Sequence, residues 1–99
     1  MHASISHLRG DPDDLLRRYD ALLAEVPAEN MILHLCLRSA DGIVIVDTCP
    51  SREVFEAFHA GEPFRAMRAR HGLPEPDRLE DYPVHIGIAR GETVAANGG

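Results

Sequence analysis

A twenty-residue segment near the middle of the chain, MILHLCLRSADGIVIVDTCP, constrains the fold most. It spans residues 31–50 and consists of two apolar runs separated by Asp41-Gly42, a pair that is the strongest short-range signal for a β-hairpin. The segment therefore predicts two antiparallel strands joined by a two-residue turn at Asp41-Gly42. In that register, Ala40 pairs with Ile43.

The predicted pairing divides the side chains of the hairpin between two faces. The first face is apolar and carries Leu33, Leu35, Leu37, Val44 and Val46. The second is mixed and carries Ile32, His34, Cys36, Arg38, Ile43, Ile45, Asp47 and Cys49. We expect the apolar face to pack against helices, and the mixed face to be covered by a second subunit or to line a cavity. A three-residue turn would shift the register by one and mix the two sets. Neither register predicts a disulfide.

Helix signals flank the hairpin on both sides. The sequence GDPDD predicts a helix start with Asp11 as the N-cap and Pro12 at the first helical position. Apolar residues then recur at helical spacing as far as Val26, and Pro27 ends the helix. After the hairpin, Ser51 predicts a second cap.

The second helical region is broken and is followed by a loop and a strand. Gly61 interrupts it, and the pattern resumes as far as Gly72. Within it, His59 and His71 are expected to be solvated or to cap a helix end. The Pro-rich segment LPEPDRLEDYP predicts a loop, and the alternating apolar residues of 84–88 predict a last strand.

With a short first strand over residues 2–8, the order is strand, helix, strand, strand, broken helix, strand. This βαββαβ order predicts an α+β, ferredoxin-like antiparallel sheet with helices on one face. We expect one domain over residues 1–99, with an ordered core at about 3–89 and a flexible tail at 90–99.

Composition excludes several function classes. The net charge is −6, and the ten basic residues are all arginine without a basic stripe, so nucleic acid is not an expected partner. No apolar run approaches the roughly 20 residues of a membrane span, and the N-terminus lacks the pattern of a signal peptide. We therefore expect a soluble, cytoplasmic protein without a membrane partner. Phosphate-loop, HExxH, CxxC and GxSxG motifs are absent.

The layout resembles the small dimeric α/β-barrel proteins of the antibiotic biosynthesis monooxygenase-like superfamily. The residues that carry the resemblance are VIVDTCPSREVFEAFHAGEPFRAM and, after a loop, YPVHIGIA, within a match over residues 3–89. It implies a homodimer whose two sheets pack face to face, with pockets for small organic molecules. The superfamily includes cofactor-independent monooxygenases, haem-degrading enzymes, isomerases and proteins without known activity. It shares no single catalytic set, so it assigns no role to any residue here.

Two histidines are the candidate catalytic residues. His85 is the first choice as a general base or hydrogen-bond donor, because it lies beside Gly87, which leaves room for a ligand. His34 is the second. In a ferredoxin-like sheet their strands are opposite edges, about 14 Å apart. They could therefore meet only across a dimer or at the two ends of a long pocket.

Four further residues are candidate substrate contacts: Cys36, Arg38, Asp47 and Tyr82. For His34 and Cys36 the alternative is simple packing within a buried face. We predict no metal, because His34, Cys36, Asp47 and Cys49 would form a flat array that fits a tetrahedral ion poorly.

The sequence thus predicts a homodimer that binds a small organic, aromatic or polyketide-like molecule without a bound cofactor. It is either a cofactor-independent monooxygenase or isomerase, or a non-catalytic ligand-binding or structural homodimer of the same fold.

Overall fold

The computed structural model describes residues 1–27, 29 and 31–95. The elements follow in the order β1 (His2–Arg9), α1 (Pro12–Leu23), β2 (His34–Ser39), β3 (Gly42–Cys49), α2 (Arg52–Ala60), α3 (Glu62–Arg70), β4 (Arg78–Pro83), β5 (Gly87–Ala89) and β6 (Glu92–Ala95). Strands β1 to β4 form one antiparallel sheet in the order β2-β3-β1-β4, while β5 and β6 pair with each other. This is the predicted ferredoxin-like α+β fold.

The helices begin where the sequence predicts. The Asp11 side chain accepts a hydrogen bond from the backbone N–H of Asp14, which caps α1. Ser51 caps α2 in the same way by accepting from the N–H of Val54 at 3.2 Å. Gly61 has an extended backbone and separates α2 from α3. Local sequence is sufficient here because an N-cap satisfies donors within its own helix.

The hairpin turn lies one residue earlier than predicted, which shifts the register by two. Ser39 pairs with Gly42, and His34 pairs with Asp47. Gly42 belongs to β3, where it pairs with Arg9 and Ser39, and a Cβ atom there would lie 1.9 Å from the carbonyl oxygen of Leu8 on β1. The glycine is thus required by the close approach of two strands and not by the turn. A shift of two residues preserves the predicted division into faces.

The assignment of those faces was wrong. The helices cover the mixed face, and the core between them and the sheet consists of Leu8, Leu15, Tyr19, Leu22, Ile43 and Leu73. The apolar face lies on the other side, where Leu35 and Leu37 are 46% and 45% exposed. Strands β1 and β2 run parallel and are joined through α1, so the right-handed crossover decides which face the helix covers. Hydrophobicity alone did not distinguish two largely apolar faces.

The fourth strand of the sheet was also misplaced. β4 comes from the segment predicted to be a loop, whereas the predicted last strand, 84–88, lies beyond it and reaches into β5. β4 reads RLEDYP and is an edge strand held by its backbone pairing to β1, so its side chains show no apolar alternation. In the tail that was expected to be flexible, Glu92–Ala95 form β6, and residues 96–99 lie outside the described residues.

Candidate functional site

A cavity of about 420 Å³ lies between the helices and the mixed face of the sheet. Its apolar lining includes Leu8, Leu22, Leu23, Val26, Ile45, Val54, Phe55, Phe58, Phe64, Met67 and Leu73. Small-molecule sites in proteins usually enclose about 300–1,000 Å³ and combine apolar walls with a few polar groups. The cavity therefore has the size and lining of a site for a small organic molecule.

A chain of three polar side chains forms part of the cavity wall. The Tyr19 hydroxyl is hydrogen-bonded to Nε2 of His34, and Nδ1 of His34 is hydrogen-bonded to Oδ1 of Asp47 at 2.9 Å. The rings of Tyr19 and His34 are nearly parallel, with centroids 6.0 Å apart. The tyrosine residue is only 4% exposed. We call this chain the Tyr-His-Asp relay.

Tertiary packing brings the relay together from three elements. Tyr19 belongs to the apolar stripe of α1, His34 begins β2, and Asp47 lies directly opposite His34 on β3. The predicted register would have placed Asp47 opposite Cys36 instead. The role of Tyr19 was missed because a tyrosine at core spacing on a helix is usually simple packing.

The protonation of the relay follows from its partners. Burial raises the pKa of Tyr19 well above its usual value, and the neighbouring acidic groups Cys36 and Asp47 raise it further, so the phenol keeps its proton. The Asp47 carboxylate only accepts hydrogen bonds. In the tautomer that satisfies both contacts, Nδ1 of His34 donates to Asp47 and Nε2 accepts from Tyr19.

An aromatic cluster surrounds a second histidine in the cavity wall. The His59 ring lies 4.5 Å from Phe55, 5.6 Å from Phe58 and 5.4 Å from Phe64, measured between centroids. Burial lowers the pKa of His59; the charges of Asp47 and Asp81 oppose this and that of Arg68 adds to it, and the net shift is downward. His59 was expected to be solvated or capping, but this environment keeps it neutral. By contrast, His71 is the C-cap residue of α3, in agreement with the capping alternative.

Two of the predicted substrate contacts have other surroundings. Cys36 packs against the hydrophobic core, and burial raises the pKa of its thiol, as the packing alternative expects. Arg38 is exposed and forms a 2.7 Å ion pair with Asp13 of α1.

Of the six predicted site residues, His85 and Tyr82 lie away from the cavity, beyond the sheet or on its far side. His85 is exposed in the segment between β4 and β5, so the protomer does not bring it to His34. Tyr82 is 54% exposed and donates a hydrogen bond to Glu80 at 3.0 Å on β4. Of the two predicted catalytic histidines, only His34 therefore lies at the cavity.

The described ranges contain neither a group of three His, Cys, Asp or Glu side chains that could hold a metal ion nor a helix long and apolar enough to cross a membrane.

The sheet face turned away from the helices, which we call the open face, is a second candidate surface. Its apolar part comes from the three strands β1, β2 and β3 and consists of Ala3, Ile5, Leu35, Leu37, Val44 and Val46. Its polar part lies on β1 and β4, with His7, Arg78, Glu80 and Tyr82, and at the strand ends, with Arg9, Ser39 and Thr48. A sheet face that meets water usually carries polar side chains along its strands, whereas the middle of β2 and β3 is apolar on this face. The apolar part is therefore suited to being covered.

The fold is similar to the solved structure of a "putative Antibiotic biosynthesis monooxygenase" from Chloroflexus aurantiacus J-10-fl. The two chains are 16% identical, with a TM-score of 0.59 over 84% of this chain and 92% of the other. No protein-family model and no curated protein matches the sequence. At this identity the similarity concerns the fold alone. It agrees with the predicted ferredoxin-like α+β fold.

Proposed function

We propose that this protein is a homodimer that binds a small organic, aromatic or polyketide-like molecule in the cavity of each protomer and removes a proton from it. The observation that carries the proposal is the Tyr-His-Asp relay in the wall of an otherwise apolar cavity. No resident cofactor takes part. The expectation that the protein works in the cytoplasm remains part of this proposal.

The relay moves a proton without forming a phenolate. A ligand C–H or O–H bond breaks, its proton bonds to the Tyr19 oxygen, and the proton of the Tyr19 hydroxyl passes to Nε2 of His34. The ligand is left as an anion and His34 as an imidazolium beside the Asp47 carboxylate, 2.9 Å away. The raised pKa of Tyr19 is compatible with this step because the phenol is neutral before and after it.

Both candidate reactions begin with such an anion. An isomerase returns the proton to a different atom of the substrate. In a monooxygenase without a cofactor, the substrate itself must supply electrons to molecular oxygen, and a substrate anion supplies them more readily than the neutral molecule. The name of the structural neighbour supports the monooxygenase.

A non-catalytic binding protein is the alternative. Both ring nitrogens of His34 already have partners within the protein, as in a histidine that only supports the fold. In that case the relay would position the cavity wall, and a bound molecule would leave unchanged.

The homodimer is proposed to form through the open face. Its side chains Leu35 and Leu37 are nearly half exposed on one edge strand, and they continue across the sheet into Val46 and Ile5. A second copy would bury the same patch symmetrically, which is the commonest arrangement in homodimers. In this proposal the open face of the sheet forms the dimer interface, and the face covered by the helices binds the ligand.

Deuterium exchange tests the catalytic proposal without knowledge of the natural substrate. The probe is 2-tetralone, an aromatic ketone with acidic C–H bonds, incubated with the protein in D₂O and followed by proton NMR. We expect exchange well above background in the unmodified protein and a loss of about 100-fold or more in Tyr19→Phe and in His34→Gln. His71→Gln is the matched histidine control outside the relay and should retain the rate.

Two results would change the assignment. Binding of 2-tetralone with exchange at the background rate would favour the non-catalytic alternative. If His85→Ala lost the exchange activity while Tyr19→Phe and His34→Gln retained it, His85 would be the residue that removes the proton and the Tyr-His-Asp relay would be rejected.

A further inference from the structure

One cationic side chain in the cavity wall has no role in the proposed proton transfer. Arg68 lies in the last turn of α3 and lines the cavity, with its side chain only 14% exposed. Its guanidinium carbon lies 5.6 Å from the centroid of the Phe64 ring. A charge in such an apolar setting is costly unless it has a partner.

The partner that the structure provides is weak. Nη2 of Arg68 donates to Oε1 of Glu75 at 3.3 Å, and the Glu75 side chain is 77% exposed. A guanidinium has five N–H donors. Across residues 1–27, 29 and 31–95, Glu75 is the one hydrogen-bond partner of the Arg68 side chain, and no buried side-chain nitrogen lacks a partner, so the other Arg68 nitrogens are not fully buried. The side chain is largely enclosed and lines the cavity, so a molecule in the cavity could reach these nitrogens.

We propose that the cavity selects a carboxylate-bearing aromatic molecule, whose carboxylate binds Arg68. The guanidinium fork matches a carboxylate in two parallel hydrogen bonds. The rings of Phe58 and Phe64, whose centroids lie 4.5 Å apart with the planes tilted by 34°, would contact the aromatic body of the molecule. This inference rests on the proposed ligand-binding function and names the class of its ligand.

A carboxylate fits this site better than a phosphate group. The sequence contains no lysine, and Arg68 is the only arginine among the described residues that line the cavity. Phosphate sites usually combine several cationic or backbone donors. One guanidinium among aromatic rings suits a single negative charge on an apolar body.

The test compares two probes of equal shape and different charge, 2-naphthoate and its neutral amide 2-naphthamide, by titration calorimetry near neutral pH. We expect the unmodified protein to bind the naphthoate more tightly than the amide. Arg68→Gln should weaken naphthoate binding about 10- to 100-fold and change amide binding little. Arg65→Gln, at an exposed position of the same helix, is the control and should change neither.

A second variant keeps the inference testable if Arg68→Gln fails to fold. Glu75→Gln removes the competing carboxylate from Arg68, and should tighten naphthoate binding about two- to fivefold without affecting the amide. If both probes bound equally well and neither variant changed their affinities, the role of Arg68 would be overturned, while the ligand-binding function would still be supported. Failure of both probes to bind the unmodified protein would count against both.

Discussion

The substitution Leu35→Asp tests whether the open face is buried between two protomers. Leu35 is 46% exposed on edge strand β2, and its side chain points away from the helices and the cavity. An aspartate there would remain hydrated in a monomer. In the proposed dimer, it would lie within an apolar interface and would occur twice because of the two-fold symmetry.

The expected magnitude follows from the exposed area and from the charge. Full burial of a leucine contributes about 1.5–3 kcal/mol, so covering the exposed half of Leu35 contributes about 1 kcal/mol per protomer and about 2 kcal/mol per dimer. Removing two unpaired carboxylates from water adds at least a similar penalty. A total of about 4 kcal/mol corresponds to a roughly 1,000-fold higher dissociation constant.

Sedimentation velocity over a range of concentrations measures this change directly. We expect the unmodified protein to sediment as a dimer and Leu35→Asp as a monomer. The free energy of unfolding of the monomer should fall by less than about 1 kcal/mol, because the position is half exposed. Ala66→Asp adds the same charge at an exposed position of α3 and should leave the dimer intact. A monomeric unmodified protein, or an undiminished dimer in Leu35→Asp, would refute the reasoning.

Three further changes probe the fold and its charges. Gly42→Ala should lower the free energy of unfolding, measured by urea titration, by about 3 kcal/mol or more, because its Cβ would lie 1.9 Å from the Leu8 carbonyl oxygen. A loss below about 1 kcal/mol would show that β1 and β3 can move apart at little energetic cost. Ile43→Ala should lower the free energy of unfolding by about 2–5 kcal/mol in the same assay, since Ile43 is 1% exposed. Ile88→Ala, at a residue that is 59% exposed, should lower it by less than about 1 kcal/mol. Similar losses for both variants would contradict the assignment of Ile43 to the core. Burial lowers the pKa of His59 below its ordinary value of 6.5, so on acidification this histidine takes up a proton at a higher pH in the unfolded chain than in the folded one. The stability contributed by neutral His59 is therefore fully present above about pH 6.5 and declines as the pH falls towards the lowered pKa. His59→Gln should remove that decline, and an unchanged profile in urea unfolding over about pH 5–8 would show that His59 is not its source.

Where the relevant interactions are local, the sequence is informative about both fold and site. The caps Asp11 and Ser51, the break at Gly61 and the helical stripe of α1 depend on neighbours within a few residues. The order of elements then limits the topology to a few arrangements, of which the ferredoxin-like sheet is one. The alternation of the hairpin also separated its side chains into the correct two sets.

What the sequence could not provide depends on contacts between distant segments. Gly42 is positioned by the Leu8 carbonyl oxygen of β1, so a hairpin considered in isolation predicts the wrong turn. His85 was the first choice because it lies beside Gly87 on the predicted last strand. The fourth strand of the sheet instead forms at 78–83, through backbone groups that carry no side-chain signal.

The sequence by itself determined the helices, the residues at which α1 and α2 begin and the two sets of side chains on the hairpin, because these follow from periodicity and short-range hydrogen bonds. It placed the end of α1 at Val26, three residues beyond its last residue, Leu23. Only the tertiary structure decided which set the helices cover, since that depends on the handedness of the β1–α1–β2 crossover. The same choice turned His34 and Asp47 towards Tyr19 and left Leu35 and Leu37 on the open face. The candidate site therefore arises from packing between elements and is not encoded in any single motif.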